Sequence, residues 1–455
     1  MFKNDIFHSL LRSFYFFFFF LGVYLVLKFS PSMFPTIVAD TDSYLDNESS
    51  RKSIYPLIIF LCKKVNFDVL ELQKIFLAFS LIILYESMKQ IKINKIFRFL
   101  FLVLILTNIY YTSFSKVILT EAFFFGSINI LISLIIFYRT DNLFIILLIG
   151  LLIGFIASIK SIGIVIAIIF LVSLAVVIKN KNYLNLSILF SSVIFFPVIE
   201  YYYFFSKNSV RTSVLPTAII GKSFMISGLN EFKIEKYPSE FSELFSKSKK
   251  EFETVQKFLR NINNPFLKAD LSSDYETVAQ YQLFKEDLAK LKKVLNKNEK
   301  EISQIIMKKL IQNNFLELVN LSLINYLGLW STGSKYIFLE KYLDSEQIEV
   351  PLQKELKMSS GEIMNIKDNI LIVVLFFFTV LFLIFFCISI FICIKMNQLF
   401  FKKNFFLVLF TFSSQMYLFL VGITNVATPR YLMAVYPMIL IVIFLSISLI
   451  KDLKK

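Results

Sequence analysis

Apolar runs organise this chain. Ten stretches reach or approach the roughly 20 apolar residues that a helix needs to cross a bilayer: about 14–30, 67–87, 98–113, 119–138, 142–158, 161–178, 183–205, 369–394, 404–424 and 431–450. Polar residues accumulate in two places, a first loop of about 31–66 and a long segment of 206–368. The pattern predicts an all-α polytopic membrane protein with about ten transmembrane helices. Seven spans fall in 1–205, a mostly helical polar domain fills 206–368, and three more spans occupy 369–455. The first run starts late, is too long and has no small-residue cleavage site, so it reads as an uncleaved span.

The polar segment has its own periodicity. Residues 275–319 are rich in Glu, Lys and Leu, with Leu283, Leu288, Leu291 and Leu295 recurring at helical intervals. Apolar residues take over toward 302–330, ending in Asn325-Tyr326-Leu327-Gly328-Leu329-Trp330. Two readings of Trp330 stand side by side: an anchor for a helix lying on the outer leaflet, or ordinary packing within the polar domain. Neither an internal repeat nor a glycine-rich phosphate loop is visible.

Composition sharpens the class. The 455 residues are 56% hydrophobic, with 55 phenylalanines and a mean hydropathy of +0.68, too apolar for a soluble globular protein. The net charge of +15 is mostly a topology signal. With the N-terminus inside, the short inner segments hold Lys3 and Arg12; Lys89, Lys92, Lys95 and Arg98; Arg139; Lys179 and Lys181; Lys395, Lys402 and Lys403; and Lys451, Lys454 and Lys455. Both termini are then cytoplasmic, and 206–368 lies outside. That outer segment carries 24 Lys/Arg and 21 Asp/Glu. It is nearly neutral, so nucleic acid is not an expected partner. Cys62, Cys387 and Cys393 show no metal spacing and are expected as thiols. The only histidine, His8, precedes the first span on the inner side, which excludes histidine general-base chemistry and a Ser-His-Asp arrangement on the outer face.

Candidate chemistry follows from topology. Asp40 and Asp42 sit just beyond the first span, and Lys116 and Glu121 flank the turn between the third and fourth. Lys160 lies between the fifth and sixth, Glu200 near the outer end of the seventh, and Arg430 before the tenth. The middles of the spans carry almost no charge, and ionisable groups at membrane depth are usually functional or paired. Each residue also has a bland reading. Asp40 or Asp42 can cap a short helix starting at Ser43, Lys116 and Lys160 can snorkel from helix ends, Glu121 can answer a helix dipole, and Arg430 can be an interfacial anchor. Their concentration on one face favours a cavity lined by both signs of charge. There an Asp can act as general base and cations can stabilise a departing phosphate. Two carboxylates can also hold a hard divalent cation such as Mg or Mn, with Asp40, Asp42 and Glu121 the candidate ligands.

Several separated patches resemble the GT-C membrane glycosyltransferases, in the bacterial protein-mannosyltransferase-like and aminoarabinose-transferase-like branch. Ala39-Asp40-Thr41-Asp42-Ser43-Tyr44-Leu45 looks like their first-loop acidic motif. Arg51 with Ile54-Tyr55-Pro56-Leu57 looks like the Arg…Tyr-Pro segment that follows it, and Leu119-Thr120-Glu121-Ala122 like the Leu-Thr-Glu of the second outer loop. Gly150 to Ser161 resembles a glycine-rich span ending in Thr-Arg-Pro, and Pro429-Arg430-Tyr431 with Tyr436-Pro437 an Arg-Tyr…Tyr-Pro opening of a late span. The match covers mainly the first 165 residues and the last 30. Lys160-Ser161 replaces the usual Arg-Pro, and no outer histidine is present for a metal.

The resemblance implies a donor sugar linked to a polyprenyl phosphate on the outer leaflet, with a lipid, a glycan or a protein as acceptor. It implies Asp40 as general base, Asp42 and Glu121 orienting the acceptor or a cation, Lys160 and Arg430 (with its neighbour Tyr431) on the lipid phosphate, and Arg51 and Tyr55 supporting the first loop. A single displacement would invert the anomeric carbon. Two rivals remain: a transporter or flippase of lipid-linked glycans, which usually shows paired halves and midplane binding groups, and a polymerase of lipid-linked repeat units.

Overall fold

The computed structural model describes all residues except 1, 33, 39, 139–141, 180–182, 209, 213–214, 264, 280–283, 331–401, 426–427 and 454–455. Among the described residues the fold is all-helical, with no strand. The expected eighth run, 369–394, lies outside them with Cys387 and Cys393, as do residues 331–368 of the polar segment and the basic positions Arg139, Lys181, Lys395, Lys454 and Lys455. The chain divides into two compact units: Met1–Arg211, Ile384–Ser414 and Met433–Lys455 form the first, Thr212–Leu383 and Gln415–Leu432 the second.

In the first unit the helices follow the apolar runs closely. They are α1 (Phe2–Phe29), the short α2 (Thr41–Leu45), α3 (Ile54–Lys64), α4 (Val69–Ser87), α5 (Lys95–Leu106), α6 (Ile109–Ser113), α7 (Glu121–Phe137), α8 (Leu143–Ile159), α9 (Gly163–Lys179) and α10 (Tyr183–Phe205). Side chains set several starts. Asp68, Asn94 and Asn142 each accept a backbone N–H from the first turn of α4, α5 and α8, satisfying donors that a helix N-terminus leaves unpaired. One expected span is broken: α5 and α6 meet at a bend of 61°, and Asn108 caps the second piece by accepting from Tyr111 N at 3.1 Å. Glycine sets the tightest packing. A Cβ at Gly154 on α8 would collide with the Val193 carbonyl of α10, so the two backbones touch where only glycine fits.

The second unit contains α11 (Leu215–Ser227), α12 (Ser242–Arg260), α13 (Pro265–Val278), α14 (Lys285–Leu295), α15 (Glu299–Asn313) and α16 (Phe315–Trp330). The stretch 275–319 is thus helical as expected, in four pieces: the end of α13, α14, α15 and the start of α16. A capping box at Asn298 and Glu301 starts α15, and Asn296, at φ 48°, ends α14 in the left-handed region. Leu288 and Leu291 join a buried core with Phe224, Phe252, Ile306 and Leu310, as their spacing predicts; Leu283 lies outside the described residues. Trp330 is 1% exposed and packs edge-on to Tyr326, so the packing reading holds and the surface-anchor reading is corrected: α16 turns this residue inward.

The last two helices are α17 (Lys402–Thr424) and α18 (Pro429–Leu453). Among the described residues three helices are long and apolar enough to cross a membrane: Tyr183–Phe205, Phe405–Thr424 and Arg430–Leu449; the bent α5–α6 pair makes four if it is one span. Most other apolar helices of the first unit are shorter, α7, α8 and α9 having 17 residues each.

Within the second unit one ion pair is sealed from water. Lys222 of α11 donates to Glu276 of α13 at 3.0 Å, with side chains 3% and 0% exposed. Lys222 also donates to the Asn425 carbonyl at 3.2 Å, and Asn325 donates to Glu276 Oε2 at 3.0 Å.

Candidate active site

The first loop is held by its own backbone and by the turn before α7. Ile118 N donates to the Thr36 carbonyl at 3.0 Å. Thr41 Oγ1 accepts from Val38 N and donates to the Ile118 carbonyl. Deeper in, Tyr55 donates to Gln73 Oε1 at 2.5 Å, and the Gln73 amide donates to the Val117 carbonyl at 2.8 Å. Tyr55 and Gln73 are both fully buried. A polar chain therefore runs from α3 through α4 to the second loop, with its donors and acceptors matched.

On this frame sits Asp40. Its carboxylate pairs with Arg51 at 2.6 Å, the two side chains 31% and 22% exposed. Arg51 Nε donates to Ser43 Oγ at 2.8 Å, Ser43 donates to the Asp40 carbonyl at 2.6 Å, and the guanidinium lies 5.0 Å from the centre of the Tyr44 ring. The short helix α2 begins at Thr41, two residues before the expected Ser43. Asp40 occupies its N-cap position but makes no side-chain capping bond. The cap reading is therefore corrected for Asp40: Arg51 takes the carboxylate that a helix start would otherwise use. Asp42, on α2, is exposed.

Glu121 is the first residue of α7 and is 1% exposed. Lys160, directly after α8, reaches it at 2.5 Å, and Thr120 Oγ1 donates to its other oxygen at 3.2 Å. The N-terminal end of the α7 dipole adds further stabilisation. Lys160 is thus engaged with a buried carboxylate rather than snorkelling. Tyr44 feels the same carboxylate: burial, and then the charge of Glu121, push its phenol up to about 12. Tyr44 meets Tyr55 edge-on at 5.4 Å, so Asp40, Arg51, Tyr44, Tyr55, Glu121 and Lys160 form one contiguous set. Lys116 donates to the Ser30 carbonyl, tying its loop to the end of α1.

A third pair lies in the same unit. Glu200, 5% exposed, binds Arg211 at 2.6 Å and accepts from Ser53 N at 3.1 Å. Arg211 and Lys52 were not marked by the sequence. The charge rule held the signal: on the expected topology Arg51-Lys52 fall on an outer loop, against the inward bias of basic residues. Arg430 and Tyr431 belong to the second unit. There Arg430 lies 5.4 Å from the Tyr431 ring centre, and the Tyr431 hydroxyl donates to Asn425 Oδ1 at 3.4 Å.

Among the described residues no three His, Cys, Asp or Glu side chains converge as a metal site. Asp40, Asp42 and Glu121 therefore do not make one by themselves. What the set does offer is a half-exposed carboxylate of fixed orientation beside an exposed one, on a base of buried, compensated charge. Neither a family model, nor a curated protein, nor a solved structure matches this chain.

Proposed function

We propose that the protein is an integral-membrane glycosyltransferase of the GT-C type. It transfers a sugar from a polyprenyl-phosphate donor to a lipid, glycan or protein acceptor at the extracytoplasmic face. About ten spans, cytoplasmic termini and an outer domain between the seventh and eighth span complete the reading. The observation that carries it is the Asp40 carboxylate, open to solvent on one side and aimed by Arg51 and Ser43 on the other. A general base must be accessible to the acceptor hydroxyl and fixed in direction, and Asp40 meets both demands.

In this scheme Asp40 takes the acceptor proton as the hydroxyl attacks the anomeric carbon, the polyprenyl phosphate leaves, and configuration inverts. Asp42 lies within the same helical turn to orient the acceptor or a divalent cation such as Mg or Mn. Glu121 and Lys160 act together, fixing Tyr44 and the floor beneath Asp40. Arg51 keeps the carboxylate aimed.

The test is mass spectrometry of surface glycans and polyprenyl-linked sugars in a deletion strain carrying either the wild-type gene or Asp40→Asn at equal membrane level. Loss of a glycan decoration with accumulation of its polyprenyl-phosphate donor supports transfer. A wild-type profile from Asp40→Asn sinks it and leaves transport as the better account, whereas repeat units that build up unjoined would point to a polymerase.

A further inference from the structure

The last turn of a helix leaves carbonyls with no intrahelical partner, and α17 ends at Thr424. Asn425 closes it, its N–H donating to the Val421 carbonyl at 2.8 Å. The carbonyl of Asn425 is then met by two donors from the helical domain of the second unit: Lys222 of α11 at 3.2 Å and the Asn325 amide of α16 at 3.4 Å. Both donors also bind the Glu276 carboxylate of α13, Lys222 at 3.0 and 3.3 Å and Asn325 at 3.0 Å. A cation at a helix C-terminus is favoured by the dipole. Thus α11, α13 and α16 converge on the end of α17.

Cohesion of the helical domain does not account for this network. The domain already shares an apolar core through Ile220, Phe224, Leu271 and Tyr275, and a sealed ion pair is often no more stable than apolar residues of its volume. Apolar residues cannot supply direction, which here means two bonds that fix one backbone carbonyl. Asn425 passes that constraint on. Its side-chain oxygen accepts from the Tyr431 hydroxyl at 3.4 Å. Tyr431 lies in the first turn of α18, its N–H bonded to the Thr428 carbonyl at 3.1 Å, with the Arg430 guanidinium 5.4 Å from its ring centre. A continuous line of contacts therefore runs from Glu276 through Lys222 and Asn325 to Asn425, Tyr431 and Arg430, all within the second unit.

We propose that Lys222, Glu276 and Asn325 are positioning residues. The buried pair clamps Asn425 and so sets the direction in which Arg430 and Tyr431 meet the substrate. The role rests on the transferase reading, in which Arg430 and Tyr431 bind substrate. Lys222, Glu276 and Asn325 are sealed and do not reach substrate themselves; they act through the backbone of the turn between α17 and α18. Glu276 orients both donors, and the donors hold the carbonyl. The polar helical domain thereby sets geometry at the head of α18. A misplacement of about 1 Å at a binding group can cost about 10²-fold in rate, so the clamp matters more to turnover than to stability.

The experiment uses the full-length protein and two variants. Lys222→Met/Glu276→Leu removes the pair and keeps the interior filled, whereas Asn325→Leu removes one donor and leaves the pair in place. Backbone hydrogen exchange in nanodiscs, read by mass spectrometry, follows residues 424–432. That segment should exchange about tenfold faster in both variants, while α12 exchanges as in the wild type. The second readout is the initial rate at which the glycan decoration appears after induction in the deletion strain, at equal membrane level. Each variant should slow it by about ten- to hundredfold. Arg430→Gln should slow it comparably. Adding Arg430→Gln to the double variant should cost less than about twofold more, because changes along one line of contacts do not multiply. Unchanged exchange in 424–432, or losses that multiply with Arg430→Gln, would mean that the pair serves the helical domain alone, and the proposal falls. A wild-type glycan profile from Asp40→Asn removes the transferase reading instead, and the exchange result then decides the clamp by itself.

Discussion

Two ion pairs in this molecule each join a cation to a carboxylate and differ in how far water reaches them. In the second unit Lys222 and Glu276 are sealed, 3% and 0% exposed, and further donors from Asn325 and onto the Asn425 carbonyl close the network. In the first unit Asp40 and Arg51 keep 31% and 22% of their side chains in solvent, with a serine and a tyrosine face for company. A sealed pair can only hold structure, because its desolvation is spent at folding and nothing can reach it. A half-open pair gives up stability but keeps a carboxylate available for a reaction. The Glu121–Lys160 pair stands between them, with its carboxylate closed and its ammonium 12% exposed.

The sharpest way to break the contrast is Lys222→Met. It strands Glu276 in a dry interior and should cost about 3–5 kcal/mol, read as a large drop in the temperature at which the protein loses its monodisperse size-exclusion peak. Adding Glu276→Leu should restore most of that loss, since a well-packed apolar replacement of a buried pair is often neutral. A double variant as unstable as the single one would mean that the network does more than satisfy itself. Asp40→Asn should do the reverse: turnover should fall by about 10²–10⁴-fold, while stability should move by no more than about 1 kcal/mol, as for a solvent-screened pair. Product formation and the same thermal assay, run on one preparation, decide it.

Glu121→Gln should fall between the two, at about 1–3 kcal/mol, because it leaves Lys160 against a neutral amide. Equality with Asp40→Asn in stability would show that Lys160 escapes to water. The smallest effect appears only in alkali. Tyr44 in the folded chain is held neutral up to about pH 12, whereas in the unfolded chain it ionises near 10. Stability from this group is therefore complete below pH 10 and is lost as pH rises from 10 toward 12. Tyr44→Phe should match the wild type in urea midpoint at neutral pH and decline less steeply than it above pH 10.

The apolar runs made the fold legible wherever helix length follows composition. The seventh run, 183–205, is the helix Tyr183–Phe205, and 142–158 returns as Leu143–Ile159. The third run did not reveal its bend, because Asn108 breaks the helix by a side-chain bond to Tyr111 N and an asparagine within an apolar run carries no unique local signal. The sequence put Asp40, Asp42 and Arg51 in one loop, and the structure pairs two of them, Asp40 and Arg51. That Arg51 would choose Asp40 depended on Ser43 and Tyr44 shaping the guanidinium's seat. Lys160 finding Glu121 required α7 and α8 to start and stop at the same level, a tertiary fact that spacing along the chain cannot carry.

The inward turn of Trp330 has one more consequence. Because it is the chain's only tryptophan and sits in the second unit, emission excited at long ultraviolet wavelengths comes from that unit alone. The protein thus carries an intrinsic optical reporter of one half of itself. A red shift of its emission marks the moment when the sealed half first admits water, with no label attached and no signal from the half that holds Asp40.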